Sequence, residues 1–335
     1  MDLGKLPPHI MNALLTTLPQ DERVLLGPGP GRDAAVVQLP DRYLVLAADP
    51  VSLTAQNLGR YAVHVNANDI ACLGADPRWF LATLLLPPDT YPTTIDAIFT
   101  DLRTACDEVG ASLVGGHTEI SAGVTQPLIA GAMIGEAPLD RLFPSDTAQP
   151  NDTIIQVGPI ATEGTALLAR EIPQRLRDRG LSDDEIAHAA SLLHHPGISI
   201  LPAARIAWPL PGLHTLHDPT EGGLATACHE LADANQLGLV INNDHILHHP
   251  ITQRLTTALD LDPLGLLASG ALLLTAQPHH APNIVRVLRH AGHHAAPIGH
   301  LGARNEPAIL QAHGETRPLP RFARDEVVRG LSESS

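Results

Sequence analysis

"NANDIACLGADPRWFLATLLLP" (residues 66–87) sets Asn66, Asn68 and Asp69 inside a helical apolar pattern that runs directly into a strand-like one. Each of these polar groups costs a few kcal/mol in an apolar interior unless it finds a partner. Two readings follow. Either the three side chains hydrogen-bond locally and cap a helix end, or they hold something charged. On a helix Asn66 and Asp69 are three apart and share a face.

The surrounding chain has the same alternation. Strand-like runs occur at 34–39, 43–48, 79–86, 111–114, 127–134, 153–157, 238–241, 270–275 and 307–311, and helical patterns at 57–73, 92–109, 162–171, 182–194, 220–235 and 279–291. Pro92 and Gly110 bracket the second helix, and Ser182 with Glu185 spells a capping box. The fold class is therefore α/β or α+β. The polar, Pro-rich "PSDTAQPND" (144–152) is the expected boundary, giving domains at 1–146 and 147–320 and a flexible tail at 321–335.

Composition narrows the function. The 335 residues are 44% hydrophobic and 17% charged, as in a globular protein, with a net charge of −15. That balance argues against nucleic acid or an anionic membrane as partner, since both demand clustered Lys and Arg. A small anion fits if a cation bridges it to acidic groups. The longest apolar stretch, 264–276, is too short to span a bilayer, and the N-terminal residues lack a signal-peptide pattern. Three cysteines without a CxxC pair indicate a cytoplasmic, disulfide-free protein. The His-His pairs at 194–195, 248–249, 279–280 and 293–294 have no ligand spacing and read as surface bias.

Three acidic residues fall at strand or helix ends: Asp33 after the Gly/Pro loop "GPGPG" (27–31), Asp49 closing "LVLAAD" and Asp69. Taken singly, each is a common turn or cap residue. Converging, they would repel one another unless a hard cation such as Mg²⁺ joined them, and Mg²⁺ in turn implies a phosphate. "LVGGHTEI" (113–120) reads as a strand ending at Gly115-Gly116, with His117, Thr118 and Glu119 in the loop beyond. In "HDPTEGGLATACHELA" (217–232) Thr220 is the expected N-cap, and Gly222-Gly223 bare backbone N–H groups where an anion could sit. Glu221 stands in the way of an anion unless something positive compensates. "ATEG" (161–164) repeats the arrangement with Glu163, and Ser269-Gly270 precede another strand.

"GRDAAVV", "AADPV", "HVNANDIACLGADPRWFLATLLLP", "GGHTE", "DPTEGGLATA" and "LDPLGLLASG" occur in the order found in the aminoimidazole-ribonucleotide-synthetase-like (PurM-like) superfamily, from about Gly27 to about Gly302. This superfamily includes selenophosphate synthetase and thiamine-monophosphate kinase, and the wording most resembles its hydrogenase-maturation branch, HypE, and AIR-synthase-related proteins. The resemblance implies a two-domain fold, a homodimer whose N-terminal domains share a barrel-like sheet, and bound ATP. It aligns Asp33, Asp49 and Asp69 with Mg-ATP aspartates. Asn68, Gly115, Gly116, His117, Thr118 and Glu119 align with nucleotide-site positions, and Asp218, Thr220, Gly222 and Gly223 with a phosphate-proximal turn. There are departures. Glu221 stands where HypE has Arg, the tail "RFARDEVVRGLSESS" lacks the cysteine on which HypE carries its carbamoyl group, and no Cys precedes Cys72 as selenophosphate synthetase would require.

The expected function is ATP-dependent, ADP-forming phosphoryl transfer onto an amide, carbonyl or phosphate oxygen of an unidentified acceptor. Glu221, His117 and Glu230 are the expected acid–base residues, and Lys5 is left an exposed lysine. The rivals are a non-catalytic ATP-binding partner in metallocofactor maturation and a thiamine-monophosphate-kinase-like kinase.

Overall fold

The computed structural model describes residues 8–15, 21–29, 32 and 34–332; Lys5 and Asp33 lie outside them. The chain divides into two compact units, with one boundary between Leu142 and Phe143. A short helix, α1 (Pro8–Leu15), precedes the first strand.

The first unit holds β1 (Val24–Leu26), β2 (Ala34–Gln38), β3 (Tyr43–Ala47), β4 (Pro50–Val51), α2 (Leu58–Cys72), β5 (Asp76–Leu86), α3 (Pro92–Val109), β6 (Ser112–Ile120) and β7 (Leu128–Ala137). Its sheet runs β1-β2-β3-β7-β5-β6, with β4 also on β7. Only β5 and β6 are parallel. The quoted stretch is thus a helix followed by the sheet's longest strand. Helix α2 is buried nearly all round, which the absence of charge on most of its positions permits. Small residues let it lie close: a Cβ on Gly135 would sit 2.3 Å from Ile70, and one on Gly59 2.6 Å from the backbone of α3. Pro92 opens α3, and Gly110, at φ 76°, closes it by bonding back to the last turn. Strand β5 alternates, with Phe80, Leu84 and Leu86 buried and Trp79 and Leu81 on the open face.

Gly115-Gly116 does not end a strand. Phe80 pairs with Leu113 and Leu81 with Gly115, so Val114 is an extra residue and β6 bulges there before continuing to Ile120. A Cβ on Gly116, at φ 141°, would fall 1.9 Å from the Ala82 carbonyl oxygen. The glycines admit the close pairing that keeps His117, Thr118 and Glu119 in the strand instead of the expected loop.

The second unit contains β8 (Thr153–Val157), α4 (Thr162–Glu171), α5 (Pro173–Asp178), α6 (Asp183–Ser191), α7 (Leu201–Ala207), β9 (Leu213–His217), α8 (Gly223–Asn235), β10 (Leu237–Asn242), α9 (Pro250–Leu259), β11 (Leu272–Ala276), α10 (Ala281–His290), β12 (Ala295–Arg304), β13 (Ala308–Ala312), β14 (Glu315–Pro318) and α11 (Glu326–Ser332). Its sheet is β14-β13-β10-β12-β8-β11-β9. Every residue of β11 is buried, so both faces of the sheet are covered at that point. The Ser182–Glu185 capping box forms as spelled, with both reciprocal bonds present.

Residues 321–332 are not a free tail. Asp325, Val327 and Gly330 are buried in the second unit, and the Arg175 guanidinium donates to the Gly330 carbonyl at 2.7 Å. The apolar pair Val327-Val328 gives this short helix a face to bury, which its charged neighbours obscure in the sequence.

Candidate functional site

In the first unit the opening question has a divided answer. Asn66 is a clamp. Its Oδ1 accepts from the Asp49 backbone N–H at 2.9 Å, and its Nδ2 donates to Ala62 O at 2.8 Å and more weakly to Asp49 O at 3.4 Å. Gly131 N–H also donates to Asp49 O, and a side chain on Gly131 would strike Asn66 at 2.7 Å. The segment after β3 is thereby tied to α2, one turn from Asp69 on the same face. Asp49 is half-buried, Asp69 is 3% exposed and Asn68 is fully buried. Replacing Asn66 with Ala leaves the Asp49 N–H unsatisfied, so a loss of about 2 kcal/mol in urea denaturation is expected. A loss below about 0.5 kcal/mol would show that the clamp is not made.

Asp49 and Asp69 are hard oxygen donors suited to Mg²⁺. Among the described residues no group of three His, Cys, Asp or Glu side chains could hold a metal by itself. Two carboxylates that leave the remaining positions to phosphate oxygens and water are the usual Mg²⁺ environment, so the residues fit the ion as a companion of nucleotide phosphates.

Beside β6 lies a groove of about 410 Å³, lined by Ala82, Phe99, Leu102, Leu113, Gly116 and Thr118 among others. His117 and Glu119 are exposed on one side of the strand, with Nε2 and Oε2 3.4 Å apart.

In the second unit three segments expected separately come together: the start of α4, the turn 218–223 and the loop 266–270. Ala268 N–H donates to Thr220 O, and Gly164 N–H to Leu267 O. Asp218 is 2% exposed at the carboxyl end of β9. The N-cap of α8 is Gly222, not Thr220. Gly222 and Gly223, at φ 83° and 65°, turn the chain so tightly that a Cβ on Gly223 would meet the Leu264 and Leu266 carbonyls within 2.8 Å. The expected free N–H groups are absent as well. Gly223 N–H donates to Thr220 O, and Gly222 N–H donates at 2.6 Å to Asp325. The two glycine amides are therefore already spoken for within the second unit. Glu230 is not free on its helix but meets His217 Nε2 at 3.1 Å, fastening α8 to the end of β9.

Sequence reasoning missed Asp325, although an Asp one residue before an apolar helical stretch is an N-cap signal. Glu163, in the first turn of α4, and Ser269 are nearly fully buried, and Glu163 Oε2 and Ser269 Oγ have no hydrogen-bond partner. Burial pushes the Glu163 carboxyl up to about 7, reinforced by the Asp325 charge; the Ser269 hydroxyl is near enough to oppose this, though its geometry falls short of a hydrogen bond.

Two mixed α/β units, the first with the Asp49 backbone tied to Asn66 of α2 and the second with a glycine turn at a strand's carboxyl end, define a class of two-domain proteins. The family model for the AIR synthase related protein N-terminal domain matches residues 31–137, and that for the C-terminal domain residues 149–310. The chain belongs to the AIR synthase related family. Carbamoyl dehydratase HypE of Rhizobium leguminosarum is 28% identical over 286 residues, covering 82% of this chain and 77% of the relative. A putative hydrogenase expression/formation protein of Methanocaldococcus jannaschii is 26% identical, covering 83% and 82%. The fold matches crystalline E. coli HypE with a TM-score of 0.73 at 23% identity, over 86% of this chain and 88% of that one. It also matches thiamine monophosphate kinase from Aquifex aeolicus with a TM-score of 0.64 at 17% identity, over 85% and 92%.

Proposed function

We propose that the protein is an ATP-dependent, ADP-forming enzyme that phosphorylates the oxygen of an amide or carbonyl group carried by a separate acceptor molecule. The observation that carries this reading is the Asn66 clamp, which ties the Asp49 backbone to α2 three residues before the buried Asp69, in a member of this family. Asp49 and Asp69, with Asp33 from outside the described residues, would hold a phosphate-bound Mg²⁺. When bound, that ion neutralises charge on the phosphates. Asn68 and the groove beside Gly115, Gly116 and Thr118, whose volume is in the range of small-molecule sites, would receive the nucleotide. In the second unit Asp218, Thr220 and Glu221 present their side chains from the glycine turn. Transfer of the γ-phosphoryl to a carbamoyl oxygen makes that oxygen a leaving group. Its departure as phosphate, with loss of the amide protons, yields a nitrile, the chemistry named in the carbamoyl dehydratase relatives.

The acceptor is placed on another molecule because Cys72, Cys106 and Cys228 are all buried. Burial raises the Cys106 thiol to about 11 and Cys228 to about 12, so neither is a thiolate at neutral pH. ADP release measured across carbamoylated thiols, carbamoylated peptides and thiamine monophosphate tests the reading. Release that rises with a carbamoyl compound is expected. Tight Mg-ATP binding with no turnover on any acceptor would favour an assembly partner, and turnover on thiamine monophosphate a kinase.

The same reading proposes a homodimer. Trp79 and Leu81 on the open face of β5, with Val114 and Ile120 on the edge strand β6, are 37–54% exposed and give a second copy an apolar surface. Light scattering is expected to give twice the chain mass at micromolar concentration; a stable monomer would remove the shared-sheet arrangement.

A further inference from the structure

One carboxylate from the C-terminal segment binds three backbone amides of the second unit. Asp325 is 2% exposed. Its Oδ2 accepts from Gly222 N–H at 2.6 Å, while its Oδ1 accepts from Leu267 N–H at 3.2 Å and from Val327 N–H at 2.6 Å. It thus joins the glycine turn after β9, the loop before β11 and the start of α11. The rest of the segment is strapped to the same loop. Glu326 Oε2 accepts from Asp262 N–H at 2.9 Å, and the Phe322 ring fills the space over Gly265, where a Cβ would lie 2.5 Å from it.

We propose that Asp325 is a positioning residue for the turn Asp218–Gly223, holding it in the form that presents Asp218, Thr220 and Glu221 at the carboxyl end of β9. What the turn then does rests on the nucleotide reading above; that it is held does not. The groups facing Asp325 explain how a carboxylate can serve here. Glu221 from the turn and Glu163 from α4 are both acidic, and the bonds Asp325 accepts come from neutral amides. Two adjacent buried negative charges are costly, and one proton shared by the group relieves the cost. Asp325 has the three N–H donors that favour a carboxylate, whereas Glu163 Oε2 has none. Glu163 therefore carries the proton and Asp325 the charge. Burial lifts Asp325 itself to about 6, against the pull of its three amides.

The test is amide hydrogen exchange on the full chain, with Mg-ATP calorimetry alongside. In Asp325→Asn an NH₂ replaces one acceptor oxygen. Protection at Gly222 and Leu267 is expected to fall about tenfold or more while β8 and β12 keep theirs. In the unchanged protein, protection at Gly222 should fall as pH drops through about 6, and this dependence should vanish in the variant. Phe322→Ala, which loosens the segment but keeps the carboxylate, should give a smaller loss at the same two amides and serves if the first variant does not fold. Affinity for Mg-ATP should fall about tenfold in Asp325→Asn. Unchanged protection at Gly222 and Leu267, or a loss spread evenly over the unit, would overturn the assignment. Local loss of protection with unaltered Mg-ATP affinity would keep Asp325 as the holder of the turn and remove the turn from the nucleotide reading. Failure of the unchanged protein to bind Mg-ATP would instead sink the nucleotide reading, and the exchange result would be read on its own.

Discussion

Asp69→Asn is expected to weaken Mg-ATP binding by about 10²–10³-fold. Asp69 is 3% exposed, so the carboxylate meets a cation with little solvent screening. Removing one partner of a buried charge pair costs about 3–5 kcal/mol, and each 1.4 kcal/mol is tenfold in affinity. Asp49 is half-buried and its pairing is more screened, so Asp49→Asn should cost about tenfold. Calorimetry with and without Mg²⁺ measures both, and melting temperatures recorded in parallel separate lost binding from lost folding. Affinities that match the unchanged protein in both variants would remove the metal assignment, and the proposed function with it.

The parts of this site that the sequence made legible are those written in local pattern. Residues 66–87 gave helix then strand because the apolar period changes from 3.6 to 2 across Gly74. Pro92, Gly110 and the Ser182–Glu185 pair marked helix ends because caps are satisfied within a few residues. What local pattern could not show was how a backbone group is used at a distance. Asn66 reads as part of a ligand set with Asp69, but its partner is the Asp49 backbone 17 residues away. Gly115-Gly116 reads as a turn, yet the facing strand β5 is long enough to extend β6 through a bulge. Thr220 is a good cap by composition, but two successive glycines at positive φ displaced the helix start to Gly223. Asp325 was hidden by sequence distance, since the amide it satisfies belongs to Gly222 more than a hundred residues earlier.

Glu163→Gln is expected to change the slope of stability against pH. The folded-state value is raised from 4.5 to about 7 by burial. A raised carboxyl contributes stability that is whole below the unfolded value of 4.5 and lost as pH rises through about 7, because the unfolded chain releases its proton first. Ionisation at about 7 in place of 4.5 corresponds to about 3 kcal/mol lost between those limits. Glutamine does not titrate, so the stability of the variant relative to the unchanged protein should rise by about 3 kcal/mol across that range, whatever its offset from the amide's own packing. The difference reads the coupled pair, because Asp325 lies in the field of the Glu163 charge and titrates differently once that charge is removed. His229, His248, His249 and His293, which burial lowers and which lose stability as pH falls, are present in both proteins, and their contributions cancel. Urea denaturation at several pH values between about 5 and about 8 measures it. Parallel curves for the two proteins would mean that Glu163 ionises as an ordinary carboxyl. The proton would then not sit between α4 and the C-terminal segment, and Asp325 would have to hold the glycine turn beside a second buried charge.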